Sequence, residues 1–378
     1  MTDPTASPPH PLDALFAYAV RRGASDLHLK VPSRPAVRVH GRLEQVRDHA
    51  PLTPAATEAF AAHLFAAFPD RAEEFARCGD TDMSYAAPGI GRFRVNVFRQ
   101  RGSVSMVARV VPFRVPSLDE LFLPPAVARL AAEERGIVLV TGTTGSGKST
   151  TLAAMIDRIN SAAHKHVVTI EDPIEILHRD RTSLINQREV GLDTADFRAA
   201  LRRVLRQDPD VIMIGEIRDE VTMETALNAA ETGHLVLSTM HTINATETVN
   251  RAIGFFPLHQ QAQVRHMLAG TLRGVVSQRL VPRSDGTGRV PAVEVMVTTG
   301  RARDAICNPD ETGRLGEIIR EGDFYGMQTF DQSLFGLVTD GLVSLDAAIE
   351  AATSPHDFKL MLEAGVARRT TSQYAGGG

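Results

Sequence analysis

The chain has 378 residues, 43% of them hydrophobic and 23% charged, which leaves room for about two domains of an ordinary globular protein. No apolar run approaches the roughly 18 residues that would suggest a membrane-spanning helix. Cys78 and Cys307 stand apart with no CxxC pair, which argues against a zinc ribbon, a redox motif or a disulfide scaffold. The net charge of −4 gives no general pull toward nucleic acid, but it is unevenly spread. Residues 1–115 hold 15 Lys/Arg against 11 Asp/Glu, and the remainder holds 26 against 34. A basic N-terminal part facing an acidic C-terminal part favours contact between them, within or between subunits.

The Pro-rich, polar start MTDPTASPPHP lacks the charged and apolar blocks of a signal peptide, so residues 1–11 read as a flexible leader and the expected compartment is the cytosol. Leu12, Leu15, Phe16 and Ala19 fall at helical spacing, closed by Gly23. LHLKV and AVRVHGRL read as short strands, residues 54–76 as a helical stretch, and GRFRVNVFRQRGSVSMVARVV as two strands around Arg99–Gly102. A small α+β domain over residues 12–115 is therefore expected, closed by the Pro112–Pro116 segment.

From about Leu118 the texture changes. GIVLVTG, HVVTIED, VIMIGE and HLVLSTM are short, almost continuously apolar runs separated by helical stretches, as parallel strands buried on both faces require. An α/β domain over 116–365 follows, helical from about residue 300, and the tail 366–378 is expected to be disordered.

The strand GIVLV runs into Gly142, Thr143, Thr144, Gly145, Ser146, Gly147, Lys148 and Ser149, followed by a helix expected to begin near Thr150. This is the phosphate-binding G-x-x-x-x-G-K-[ST] loop in its required strand–loop–helix setting. Its glycines let successive backbone N–H groups point at phosphate oxygens, and the helix N-terminus adds partial positive charge. Lys148, read as a surface-loop lysine of little packing value, should bridge the β- and γ-phosphates, and the Ser149 hydroxyl should hold Mg2+. The site is expected to bind ATP or GTP.

Three further blocks carry chemistry. VIMIGE ends in Glu216, with Gly215 where a usual Walker B strand carries Asp; a carboxylate at the end of a strand beside the phosphate loop can orient water or hold Mg2+. In HVVTIEDPIEILH, Glu171, Asp172 and Glu175 crowd into five residues, and their repulsion should raise at least one pKa, as a general base requires. HLVLSTMHT brings His234 and His241, of which a strand-end group can sense the γ-phosphate.

In this order the four blocks resemble the secretion-ATPase superfamily, the motors of type II secretion and type IV pili. GTTGSGKSTTLAAM is similar to its Walker A, TIEDPIEILH to its Asp box, DPDVIMIGEIRD to its glycine-containing Walker B and TGHLVLSTMHT to its His box. The resemblance covers nearly the whole chain, with GASDLHLK and RFRVNVFRQRG similar to its N-terminal PAS-like domain and GMQTFDQSL to its C-terminal helices. It implies an α/β fold with a P-loop RecA-like ATPase core. Within the superfamily the type IV pilus retraction (twitching-motility) ATPases fit best, because assembly ATPases carry an extra N-terminal domain and a four-cysteine zinc loop, where this chain has only RLVPRSDGTGRVPAVEV.

The resemblance implies ATP and Mg2+ as ligands, a homohexamer, an inner-membrane pilus platform protein and a paralogous retraction ATPase as partners, and a cytoplasmic location at the pilus machine. Glu175 becomes the catalytic base and Glu216 the support of metal or water, with His234 and His241 in the His box. Arginines of the acid-free stretch between Met83 and Leu118 (Arg92, Arg94, Arg99, Arg101 and Arg109) would act at the subunit boundary, with Arg94, Arg99 and Arg109 as candidate nucleotide contacts. RARDAICN at 301–308 departs from the AIRNLIRE that retraction ATPases often carry, so an accessory role stays open. So do other secretion-superfamily ATPases serving pilus assembly, type II secretion or competence. A nucleic-acid motor is disfavoured by the acidic ATPase half and the absence of Trp.

Overall fold

The computed structural model describes residues 10–364; the expected tail and most of the expected leader lie outside the described residues. The chain divides into two compact units, Met1–Phe113 and Arg114–Gly378.

The first unit opens with α1 (Pro11–Arg21), which starts one residue earlier than its apolar pattern because the His10 ring accepts the Leu12 N–H and caps it. Leu12, Leu15, Phe16 and Ala19 are its buried stripe, as the spacing predicts. AVRVHGRL resolves into two strands, since His40 and Gly41 both take positive φ (47° and 80°) and turn the chain between them. The unit thus has β1 (Asp26–Leu29), β2 (Ala36–Val39) and β3 (Arg42–Gln45). The helical stretch at 54–76 is two helices, α2 (Pro54–Phe65) and α3 (Pro69–Cys78), because Pro69 ends one and starts the next. The unpredicted β4 (Asp80–Ala87) precedes β5 (Gly91–Gln100) and β6 (Ser103–Val111). All six strands pair antiparallel in the order β3-β2-β1-β6-β5-β4. Alternation in β5 sends Phe93, Val95 and Val97 into the core, where Phe93 stacks on Phe16 at 4.1 Å, and leaves Arg94 exposed on the opposite face.

The second unit starts with α4 (Pro125–Ala131) and β7 (Gly136–Thr141), then α5 (Lys148–Ala162), β8 (His166–Glu171), β9 (Leu184–Glu189) and α6 (Phe197–Val204). It continues through β10 (Val211–Ile214), α7 (Glu220–Glu231), β11 (Leu235–Met240), α8 (Ala245–Gly254) and α9 (Leu258–Thr271). A hairpin of β12 (Leu272–Pro282) and β13 (Arg289–Val297) follows, then α10 (Gly300–Cys307), α11 (Leu315–Arg320), α12 (Phe330–Thr339) and α13 (Leu345–Ala351). The sheet order is β13-β12-β7-β11-β10-β8-β9, parallel throughout except for β12 with β13. Counted from β7 with the edge strand β9 left out, the central order 5-1-4-3-2 is that of a RecA-like core. One expectation is corrected here: the strand leading to Glu216 is not beside the phosphate-loop strand, because β11 lies between them.

Every residue of β7, β10 and β11 is buried, so alternate side chains serve opposite faces. Ile137 and Leu139 join one core cluster with Ile212 and Ile214, while Val138 and Val140 join another with Leu152, Met155 and Ile156. The segment RLVPRSDGTGRVPAVEV forms most of the β12–β13 hairpin, and its Val281, Val290 and Ala292 pack with Phe330, Leu334 and Phe358. The Phe330 ring is 2% exposed and lies 3.9 Å beneath the Arg279 guanidinium. Phe330→Ala is expected to destabilise the ATPase unit by about 3–5 kcal/mol through cavity formation, read as a lower denaturant midpoint at unchanged m-value.

Candidate functional site

Parallel pairing brings the carboxyl ends of β7, β8, β10 and β11 to one edge, and a cleft of about 510 Å3 opens there. Its walls include Thr144, Gly145, Gly147, Lys148, Ser149 and Thr150 of the phosphate loop, Glu171 at the end of β8, Glu175 after it, Glu216 after β10 and His241 after β11.

The phosphate loop closes on its own lysine. Gly142 (φ 144°) passes so near the β12 backbone that a Cβ there would lie 2.5 Å from the Gln278 carbonyl oxygen. Gly147 takes φ 93° as the residue that turns the chain into α5, so the helix starts at Lys148 rather than near Thr150. Lys148 Nζ donates to the carbonyls of Gly142 (2.9 Å) and Thr143 (3.0 Å). The expectation of a surface lysine is thereby corrected, since Lys148 is 8% exposed. Burial holds its pKa below the ordinary lysine value, against the pull of Glu216 and Glu175. Thr143, Thr144, Gly145 and Ser149 remain exposed, and Ser146 Oγ is buried without a hydrogen-bond partner. An exposed loop running into a helix N-terminus, an orphaned hydroxyl and a lysine held by carbonyls fit a polyphosphate, which supplies acceptors for the hydroxyl and the lysine.

Gly215 explains itself sterically. A Cβ at this position would sit 3.3 Å from the Ile170 carbonyl oxygen and 3.6 Å from Glu171 Cα, so an aspartate here would crowd β8. Glu216 takes the carboxylate role alone. One of its oxygens is paired with Arg218, and the other lies 3.2 Å from His241 Nε2. The Ser149 hydroxyl and the Glu216 carboxylate are hard oxygen donors of the kind Mg2+ accepts. Among the described residues no group of three or more His, Cys, Asp or Glu forms a metal cage.

In the acidic block the rise in pKa falls on Glu171, which is 8% exposed. Burial is its main cause and repulsion from Glu175 its smallest, which corrects the expectation that crowding would do it. Thr169 Oγ (2.7 Å) and Gln187 Nε2 (3.0 Å) both donate to Glu171 Oε1. Glu175, in contrast, is exposed to the cleft.

His234 precedes β11 at the end away from His241, and its ring Nδ1 is held by the Ala229 carbonyl (2.9 Å) and the Thr232 hydroxyl (3.1 Å). Arg94, Arg99 and Arg109 belong to the first unit. Arg94 and Arg109 are cross-strand partners, Arg109 Nε lies 3.1 Å from Asp26 Oδ1, and Arg99 lies over the Phe75 ring. The cleft also contains Arg218, Arg289 and His178, which sequence reasoning missed. The first and last of these sit inside quoted motifs, whereas Arg289 reaches the site only through the β12–β13 pairing.

A phosphate loop, a strand-end carboxylate and an acidic loop on one edge of a RecA-like sheet make this chain a P-loop ATPase. It belongs to the type II/IV secretion system protein family, whose model matches residues 8–321. It is 43% identical to the type IV pilus retraction ATPase PilT of Pseudomonas aeruginosa over 91% of this chain and 98% of that protein. To the type IV pilus ATPase PilU of the same organism it is 41% identical, over 93% and 91%. A crystal structure of the pilus retraction motor PilT with bound ADP superposes with a TM-score of 0.82 at 43% identity, covering 92% of this chain and 98% of that one.

His178 gives the site a pH signature. Its Nδ1 is buried without a partner, and burial lowers the ring pKa to about 4, with Asp157 opposing and Arg181 assisting. The unfolded chain, with an ordinary value near 6.5, then binds more protons than the folded one. The stability that the neutral ring contributes is full above pH 6.5 and is lost as pH falls through about 4. The stability difference between wild type and His178→Asn, measured by denaturant titration, should therefore shrink across that window.

Proposed function

We propose that this chain is the ATP-hydrolysing motor of type IV pilus retraction, working as a homohexamer in the cytoplasm against an inner-membrane platform protein. The observation that carries this reading is the cleft that joins Lys148, Ser149, Glu175 and Glu216, in a chain 43% identical to PilT over 91% of this chain and 98% of that protein. Lys148 leaves the Gly142 and Thr143 carbonyls for the β- and γ-phosphates of ATP. Ser149 and Glu216 would hold Mg2+, which offsets phosphate charge when bound. Glu175 takes the proton of the attacking water, and His241 senses the γ-phosphate through Glu216. Arg94 and Arg109, next to each other on the sheet of the first unit, reach a neighbouring subunit's nucleotide and couple hydrolysis to ring motion.

An accessory motor is the second reading. It is favoured by 41% identity to PilU over 93% of this chain and by RARDAICN, which forms much of α10. A paralogous retraction ATPase is then the partner.

Glu175→Gln should retain ATP binding but turn over about 10²-fold or more slowly, while Glu216→Gln should raise the Mg2+ requirement; the reverse pattern reassigns the base. Lys148→Ala should bind no ATP. Deleting the gene should leave cells with excess surface pili and no twitching. Loss of all pili would mean assembly instead, and normal pili with weakened twitching would mean the accessory role.

A further inference from the structure

Glu175 lies in the connection between β8 and β9, and side chains of other elements hold the backbone on both sides of it. Gln187 of β9 donates through Nε2 to the Ile176 carbonyl (2.9 Å) and to Glu171 Oε1 (3.0 Å), and its Oε1 accepts the His178 N–H (2.8 Å). Glu189, two residues along and on the same strand face, accepts the Ile174 N–H at 3.1 Å. Glu171, itself held by Gln187 and Thr169, accepts the N–H of Glu175. Farther along, Asn160 of α5, fully buried, donates to the Arg179 carbonyl (2.7 Å) and accepts the Arg181 N–H (3.1 Å). The residues before and after Glu175 are thus both tied to β9.

We propose that Gln187 is a positioning residue for ATP hydrolysis, fixing the Ile176–His178 backbone and the Glu171 carboxyl so that Glu175 is presented to the cleft. The chemistry of the position is restrictive. Ile176 and Glu171 offer acceptors and need two donors, whereas His178 offers an N–H and needs an acceptor. A neutral amide of glutamine length meets all three; glutamate lacks the donors, and lysine or arginine lacks the acceptor. Gln187 is no part of the phosphate loop, so its loss should be felt in turnover rather than in nucleotide binding.

The proposal rests on reading Glu175 as the base, and the test separates the two. In the full-length protein, Gln187→Ala should lower kcat by about 10- to 100-fold through misplacement of the base. The Kd of a non-hydrolysable ATP analogue should stay within about threefold of wild type. In a Glu175→Gln background, Gln187→Ala should add nothing further. Gln187→Glu supplies a readout that a merely structural role would not move. Beside the buried Glu171 the new carboxyl shares a proton, so at acid pH it still donates one bond and at alkaline pH it repels. Its kcat relative to wild type should therefore fall as pH rises from about 5.5 to about 8. Circular dichroism checks folding, and if Gln187→Ala does not fold, the Gln187→Glu pH profile decides. Wild-type kcat in Gln187→Ala beside a slow Glu175→Gln overturns this proposal alone, as does an equal loss of kcat and analogue affinity, or a Gln187→Glu profile parallel to wild type. Wild-type turnover in Glu175→Gln overturns the base assignment, and the proposal with it.

Discussion

Parallel pairing of β7, β11, β10, β8 and β9 forces their carboxyl ends to one edge of the sheet. β7, β8, β10 and β11 are almost wholly buried, and Lys148, Glu175, Glu216 and His241 all follow their carboxyl ends. The same burial fixes register, since a slip of one residue would move Ile137 and Leu139 off one core cluster and Val138 and Val140 off the other. The hydrophobic sandwich is thus what brings residues 142 to 241 to one cleft.

Within the cleft, polar groups divide into those held and those left free. Lys148 is sequestered by carbonyls of its own loop; one Glu216 oxygen is paired with Arg218, and the other lies near His241 without a hydrogen bond. Glu171, at the cleft wall, is buried and raised in pKa, and it accepts hydrogen bonds from Thr169, Gln187 and the Glu175 N–H. Glu175, four residues on, is exposed to the cleft. Four residues apart, the two carboxylates thus have different surroundings, one desolvated and hydrogen-bonded at the end of β8 and the other exposed to the cleft.

The edge strand β9 shows the cost of reading strands by hydrophobicity alone. LINQRE is polar and has an apolar neighbour only along one edge, so nothing in its pattern marks it as a strand. Its Gln187 and Glu189 are nonetheless the side chains that tie down the acidic loop. Their distance in sequence from Glu175 (12 and 14 residues) hides a contact that parallel pairing with β8 creates.

The sequence by itself determined the phosphate loop, the acidic loop, Glu216 and His241, because each depends on a local motif at the end of an apolar run. It also determined the inward face of β5 and the buried stripe of α1, which follow from periods of two and 3.6 residues. The tertiary structure alone decided that β11 separates β7 from β10, that His234 lies at the end of its strand away from His241, and that burial rather than repulsion tunes Glu171. Strand order, desolvation and cross-strand hydrogen bonds depend on residues far apart in the chain, and no local pattern encodes them.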